Sequence, residues 1–197
     1  PVWPGHWAHD SDVAGFTYAP EGLAEGQARV RFTCLLVDPA QERLALAVQR
    51  QLQAIGVDME LQSRPQRETL DLVEAGDFDA MLGDVLQGPH LVRPFLFWHS
   101  QGPFNYGAYR SAAVDQALDS IRHSVSDDAY KAGVSAFQRT VLNDPPAIFL
   151  VWGDRARAVS TRFDVQTSSG LADSGRDVWS SLRLWRPSAD NRFVSRD

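Results

Sequence analysis

Polar and apolar residues alternate from Arg29 to Thr33 and then give way to an unbroken apolar run, Cys34-Leu35-Leu36-Val37. That pattern predicts a buried strand over 29–37. Asp38-Pro39-Ala40-Gln41 follows. Asp38 suits the cap, Pro39 the first helical position and Gln41 the closing residue of a capping box. Leu44, Ala47, Val48, Leu52 and Ile55 then mark one helical face, and Gly56 fits the stop. Residues 57–61 alternate as a second strand, 66–75 read as a short helix closed by Gly76, and 78–82 read as a third strand. Strand, helix, strand, helix, strand at this spacing predicts βαβ units and a mostly parallel sheet.

Two more helices follow. Ser111 caps the first, with Val114, Leu118 and Ile121 on one face. Ser126-Asp127-Asp128 opens the second, with Tyr130, Val134, Phe137 and Val141 inward and Pro145-Pro146 as the stop. The apolar run Ala147-Ile-Phe-Leu-Val-Trp152 reads as a further strand. Both ends of the chain lack a sustained period. Residues 1–28 mix Pro and Gly with Trp3, Trp7, Phe16 and Tyr18, which suggests packing against something larger. Residues 164–177 read as loop, 178–185 as a short strand, and 188–197 as a polar, mobile tail.

Composition narrows the function classes. At 44% hydrophobic and 22% charged residues the chain is an ordinary globular one, and no run of apolar residues is long enough to span a bilayer. A net charge of −6 without basic runs argues against nucleic acid as a partner, because phosphate binding needs clustered Lys and Arg. The single cysteine, Cys34, lies inside an apolar run and reads as a small buried hydrophobe. No charged-then-apolar leader opens the chain, and we expect an internal piece of a longer protein.

Catalytic and metal motifs are thin. His6 and His9 stand three apart, but their segment has no helical pattern and no further ligands nearby, so loop histidines are the favoured reading. His90 and His99 flank an apolar run, with Ser100 and Asp84 near in sequence, yet no Gly-x-Ser-x-Gly elbow is present. Gly83-Asp84-Val85-Leu86-Gln87-Gly88 has neither Walker spacing nor its Lys. No cofactor is expected. What remains are the loops after Val37, Leu82 and Trp152, at the carboxyl edge of the predicted sheet, where open α/β folds bind ligands. The stretch from Arg93 to Tyr106 carries five aromatics. Core packing suits Phe95 and Phe97, while pocket lining and core packing are both open for Trp98 and Tyr106.

Several fragments resemble, in order, the second lobe of the family-5 extracytoplasmic solute-binding proteins of ABC transporters, the oligopeptide, dipeptide and nickel binders. Gln49-Arg-Gln-Leu52-Gln-Ala-Ile-Gly56-Val57 is similar to that family's helix-to-strand junction, and Gly76-Asp-Phe78-Asp79-Ala-Met-Leu-Gly83 to its next strand. Phe97-Trp-His-Ser100, Asn105-Tyr106-Gly107-Ala-Tyr109, Ser111-Ala-Ala-Val114-Asp115 and Asp144-Pro-Pro-Ala-Ile-Phe149-Leu150 resemble later blocks, and Pro4-Gly5-His6-Trp7 the segment that precedes the lobe. One departure is that Gly83 is followed by Asp84-Val85-Leu86-Gln87, without the Trp and the amine-anchoring Asp common in the family's peptide binders.

The resemblance implies an α/β fold: a periplasmic-binding-protein-like lobe of class II type, its mostly parallel sheet flanked by helices, with irregular N- and C-terminal extensions. Residues 1–28 become a leader from a missing first lobe, 29–153 the ligand-binding lobe, and 154–197 a return segment and tail. The implied role is the solute-binding component of an ABC importer and not an enzyme. It would capture a peptide-like or other small solute between lobes, outside the cytoplasm or in the periplasm, with a lipid anchor as one form of attachment of the full-length protein. Its partners would be the ligand, the permease subunits and the missing N-terminal lobe. Asp38, Asp84, Gln87, His90, Trp98, Asn105 and Tyr106 are the expected ligand contacts, and no metal site is expected. A ligand-sensing domain of a transcriptional regulator and a hydrolase using His90 or His99 are the alternatives.

Overall fold

The computed structural model describes residues 1–17, 30–85, 87, 90–153, 160–164, 182 and 185–188. These fall into two compact units. One lies within Pro1–Val13, Gln87–Arg93 and Gln116–Asp197, the other within Ala14–Leu86 and Pro94–Asp115.

The second of these units holds the sheet. Strand β1 (Val30–Leu36) lies between β2 (Val57–Gln62) and β3 (Ala80–Leu82), and both pairings are parallel. The register sets Val30 opposite Val57 and Leu36 opposite Leu82. The apolar end of β1 is the buried end, with Cys34, Leu35 and Leu36 in the core beside Ala45, Met59 and Val73. Burial pushes the Cys34 thiol pKa up, in keeping with a packing role.

Asp38 caps a short 3-10 turn, Pro39–Gln41, by accepting from the Ala40 N–H at 2.9 Å, and α1 (Glu42–Ala54) begins just after it. No capping box forms, because Gln41 makes no side-chain cap bond. The buried face of α1 is centred on Ala45, with Leu44, Val48 and Leu52 half-buried, so the expected Ala47 and Ile55 lie on the exposed side. Helix α2 (Gln66–Ala75) buries Thr69 and Val73 and ends at Gly76, whose φ of 70° is the left-handed cap that glycine adopts without strain.

A seven-residue helix, α3 (Val92–Trp98), occupies the aromatic stretch that lacked a helical signal. Its Pro94 sits in the first turn, where a missing N–H costs nothing. The chain then folds back on it: Phe104 N–H donates to the Leu96 carbonyl at 3.0 Å. That return needs Gly102, because a Cβ there would lie 2.4 Å from the Leu96 oxygen.

Helices α4 (Ala112–Arg122) and α5 (Asp127–Asn143) bear the faces expected of them, with Val114, Leu118, Ile121, Val134, Phe137 and Val141 all buried. Ser126 caps α5 by accepting from the Ala129 N–H. Gly133 lets α5 pass close to α4; a Cβ there would meet Ile121 Cγ1 at 3.0 Å and its backbone nitrogen at 3.2 Å.

The N-terminal segment is irregular, as expected, yet it is closely held. Trp7 stacks on Tyr130 at 5.1 Å between ring centroids, with Lys131 Nζ 5.8 Å from the Trp7 ring. Gln138, 2% exposed, grips both backbone groups of Asp10: the Asp10 N–H donates to its Oε1 at 2.9 Å and its Nε2 donates to the Asp10 carbonyl at 3.1 Å. The Asp10 carboxylate in turn accepts from the Ser135 hydroxyl, the Asp12 N–H and Arg139.

One expected strand does not form. Residues 147–152 are assigned to no strand, and the run is exposed from Ile148 (83%) to Trp152 (40%). The apolar pattern was read correctly, but a strand also needs a neighbouring edge to take its N–H and C=O groups. Near the C-terminus, β4 (Phe163–Asp164) and β5 (Arg186–Pro187) make a short antiparallel pair. The expected strand over 178–185, the loop over 164–177 and the tail over 188–197 lie almost wholly outside the described residues.

Candidate functional site

The carboxyl edge of the sheet is built by β1 and β3. Val37 N–H donates to the Leu82 carbonyl at 3.0 Å, which extends their pairing by one residue. Gln41, with its amide nitrogen facing Leu82 and its oxygen facing the Asp84 N–H, bridges the two chain exits at 3.3 and 3.1 Å. The residue that failed to complete a capping box is therefore a brace across the strand ends. Asp38 and Asp84, each two residues beyond the registered Leu36–Leu82 pair, come out on the same edge with exposed side chains. Parallel pairing brings this about: two strands running the same way deliver both following loops to one side.

The other expected contacts are placed differently. Asn105 spends its amide on its own loop, with Nδ2 donating to the Tyr109 carbonyl at 2.8 Å and Oδ1 accepting from the Tyr109 N–H at 2.9 Å. Tyr106 lines an open groove of about 610 Å³ together with Gly76, Phe78, Asp79 and Pro103. Gly76 to Asp79 lie just before β3, so this groove is at the amino end of that strand, away from Asp38 and Asp84. Asp79 is held well below the usual carboxylate range by the Thr33 N–H and then the Thr33 hydroxyl, both at 2.9 Å. Trp98 is half-buried at the end of α3. Gln87 and His90 lie in the other unit. His90 is exposed, and Gln87 binds backbone: the Trp3 N–H donates to its Oε1 at 2.8 Å and its Nε2 donates to the Pro1 carbonyl at 3.0 Å.

Ser100, His99 and Asp115 do come together, although only the first two are neighbours in sequence. The Ser100 hydroxyl donates to Asp115 at 2.5 Å, and the Ser100 N–H donates to the same carboxylate at 2.8 Å. His99 is buried, and its Nδ1 accepts from the Gln101 N–H at 3.0 Å. The serine proton thus goes to a carboxylate, whereas an activated serine gives it to an imidazole. Burial and hydrogen bonding read this trio as the joint between α3 and the start of α4. His6 is similarly committed: it is buried, and its Nδ1 accepts from the Ala8 N–H. Among the described residues no group of three His, Cys, Asp or Glu side chains is placed to hold a metal ion. Among them, too, no helix is long and apolar enough to cross a membrane.

A three-stranded parallel sheet with its loops at one edge is common to many α/β proteins, and comparison with solved structures separates them. The oligopeptide-binding protein AppA of Bacillus subtilis, solved with a nonapeptide, matches with a TM-score of 0.69 over 95% of this chain, at 18% identity. The chain has the fold of a class II solute-binding lobe. The same fold is shared, with TM-scores of 0.54 and 0.51, by the murein tripeptide binding protein MppA of Escherichia coli (21% identity, 64% of this chain) and NikZ of Campylobacter jejuni in complex with Ni(L-His) (22% identity, 67% of this chain). This solute-binding lobe amounts to 42% of the AppA chain, 25% of MppA and 28% of NikZ. Among curated proteins, the peptidoglycan-binding protein YepA of Agrobacterium fabrum is 27% identical over 139 residues, covering 66% of this chain and 22% of YepA. No protein-family model matches the chain.

Proposed function

We propose that this chain is one lobe of the solute-binding component of an ABC importer, a clamp that takes a peptide-like or other small solute and hands it to a membrane permease outside the cytoplasm. The observation that carries this reading is the likeness to AppA along nearly the whole chain, in a protein more than twice as long. A two-lobed clamp closes because ligand contacts from both sides favour the closed state. In this reading the lobe is 29–153, 1–28 and 154–197 run to the missing lobe, and Asp38 and Asp84 offer carboxylates to the ligand from the sheet edge. His90, Trp98 and Tyr106 are secondary candidates. Asn105 shapes its loop, so its contribution is indirect.

No bond is made or broken in such a cycle, and we infer that the protein is not an enzyme. The Ser100 hydroxyl's engagement with Asp115 supports this. Ester and amide substrates should show no turnover above background; turnover abolished by His90→Ala or His99→Ala would install the hydrolase reading instead. The main test is calorimetry with peptide and sugar libraries on the 197-residue chain and on the full-length protein. Binding should appear with the full-length protein and be weak or absent with the single lobe. Tight binding by the lobe alone would defeat the two-lobe mechanism.

A further inference from the structure

Two glutamine side chains hold the N-terminal segment, and they do so in different hydrogen-bond patterns. Gln138 exchanges both bonds with a single residue, Asp10, as a hydrogen-bonded pair does in an antiparallel ladder. Gln87 instead straddles Val2. It donates to the carbonyl before that residue and accepts from the N–H after it, as a backbone amide does in a parallel ladder. Between those two bonds the Val2 side chain is buried, 2% exposed. Gln138 is itself sealed in the core, whereas Gln87 is half-buried and so is accessible to an exchange of partners.

Main-chain hydrogen bonds on either side of a residue, plus a hole for its side chain, are the elements by which proteins read extended peptides. We propose that the Gln87 carboxamide and the hole filled by Val2 form a reader of extended peptide backbone. Pro1–Trp3 occupies this reader in cis, and a free peptide with a small aliphatic residue at the matching position competes for it. The geometry stands by itself; the assignment of peptide as the natural competitor rests on the proposed solute-binding function. The specificity follows from the contacts. Backbone groups are read without regard to sequence, and the hole selects one aliphatic side chain, with Val as the filled example. A bulky aromatic or a charged residue at that position is excluded by size or by the cost of burying charge.

The tether sets how hard the site is to enter. A covalently attached segment competes at an effective concentration on the order of millimolar. A free tripeptide therefore binds the parent chain weakly and gains once the segment's hold is loosened. The test uses the 197-residue chain and acetyl-Pro-Val-Phe-amide, followed by calorimetry and by the NMR signals of the Gln87 side-chain amide. Val2→Gly empties the hole, and Val2→Asp is the second variant should the first collapse the segment; circular dichroism checks that each is folded. Either folded variant should bind the peptide at least tenfold more tightly than the parent and shift the Gln87 signals, and adding Gln87→Ala should abolish the gain. No gain in either variant, or a gain indifferent to Gln87→Ala, overturns the inference. Failure here is separable from failure of the proposed function. If the full-length protein binds peptide and Gln87→Ala changes nothing, this inference falls and the clamp stands. If the full-length protein binds no solute while Val2→Gly captures the peptide, the clamp falls and this inference stands.

Discussion

Replacing Gln138 by Leu removes two hydrogen bonds from the core while changing volume little. Gln138 is 2% exposed, and its amide satisfies both the N–H and the carbonyl of Asp10. Each bond contributes about 1 kcal/mol net, and a buried group left unpaired costs about 1–3 kcal/mol more. Asp10 is only half-buried, so water can reach part of what is exposed. The expected loss is therefore about 2–3 kcal/mol, near the low end of that range. In urea, with a slope of about 2–3 kcal/mol per molar, the midpoint should fall by about 1 M. The Asp10 amide should also lose hydrogen-exchange protection before the body of α5 does, because the clip opens without unfolding the helix. Gln138→Glu separates the two bonds. Its carboxylate accepts from the Asp10 N–H but has no proton to give the carbonyl. Burial beside the Asp10 carboxylate raises the new group's pKa in the folded state, so the variant's deficit is smallest in acid and widens above about pH 4.3 as the folded form must ionise. Gln138→Leu within about 0.5 kcal/mol of the parent, with Asp10 protection unchanged, would refute the reasoning, since that is the range of a neutral surface change.

Asp79 and Asp10 both have pKa values lowered in the folded state, the first chiefly by the Thr33 N–H and the second chiefly by the Ser135 hydroxyl. Their stabilisation is present above the ordinary carboxylate value and is lost as pH falls through the lowered one, so Asp79→Asn should flatten the acid limb of the stability profile below about pH 4. An unchanged limb would show that the Thr33 contact is not formed in solution. Gly133→Val places a branched side chain against Ile121 and its backbone and should cost about 1–3 kcal/mol in denaturant titration. No loss would mean that α4 can yield at that contact. The exposed run 148–152 should bind an apolar dye in the isolated lobe, and Ile148→Ser with Val151→Ser should remove most of that signal. Equal dye binding by the double variant would place the sticky surface elsewhere.

Local rules carried the first half of the described fold well. The β1–α1–β2–α2–β3 order was legible because each element announces its ends: Asp38 and Ser126 cap where they should, and Gly76 closes α2. Helix α3 escaped because seven residues with a proline at the third offer no full period to read. The face of α1 was rotated toward Ala45 because alanine carries almost no hydrophobic signal, though at 0% exposure it marks where helix meets sheet. The site was less legible for a related reason. Asp38 and Asp84 share an edge because strand order fixes where loops emerge, and that much follows from topology. Gln87 and Asn105 looked like ligand contacts because polar amides in loops often are; both turn out to pair with nearby backbone instead. A sequence shows that an amide is present, not whether its own chain has already claimed it.

The strand expected over 147–152 marks the point at which pattern and structure part, and the reason is physical. A run of Ile, Phe, Leu, Val and Trp has the composition of a strand buried on both faces. Such a strand is stable only inside a sheet, where neighbours cover its faces and take its hydrogen bonds. In this chain Ile148 is 83% and Val151 63% exposed, a disposition that costs apolar burial with no compensating contact among the described residues. Residues chosen for a dry interior but left wet imply that their interior lies elsewhere. The solved chain that matches along almost the whole length of this one has more than half of its residues outside the match, and a second lobe is where a covering sheet would come from. If that holds, the run is cooperative with lobe assembly. Polar substitutions at Ile148 and Val151 should then scarcely alter the stability of the isolated lobe yet strongly destabilise the full-length protein, and equal effects in both would show that the run belongs to this lobe alone.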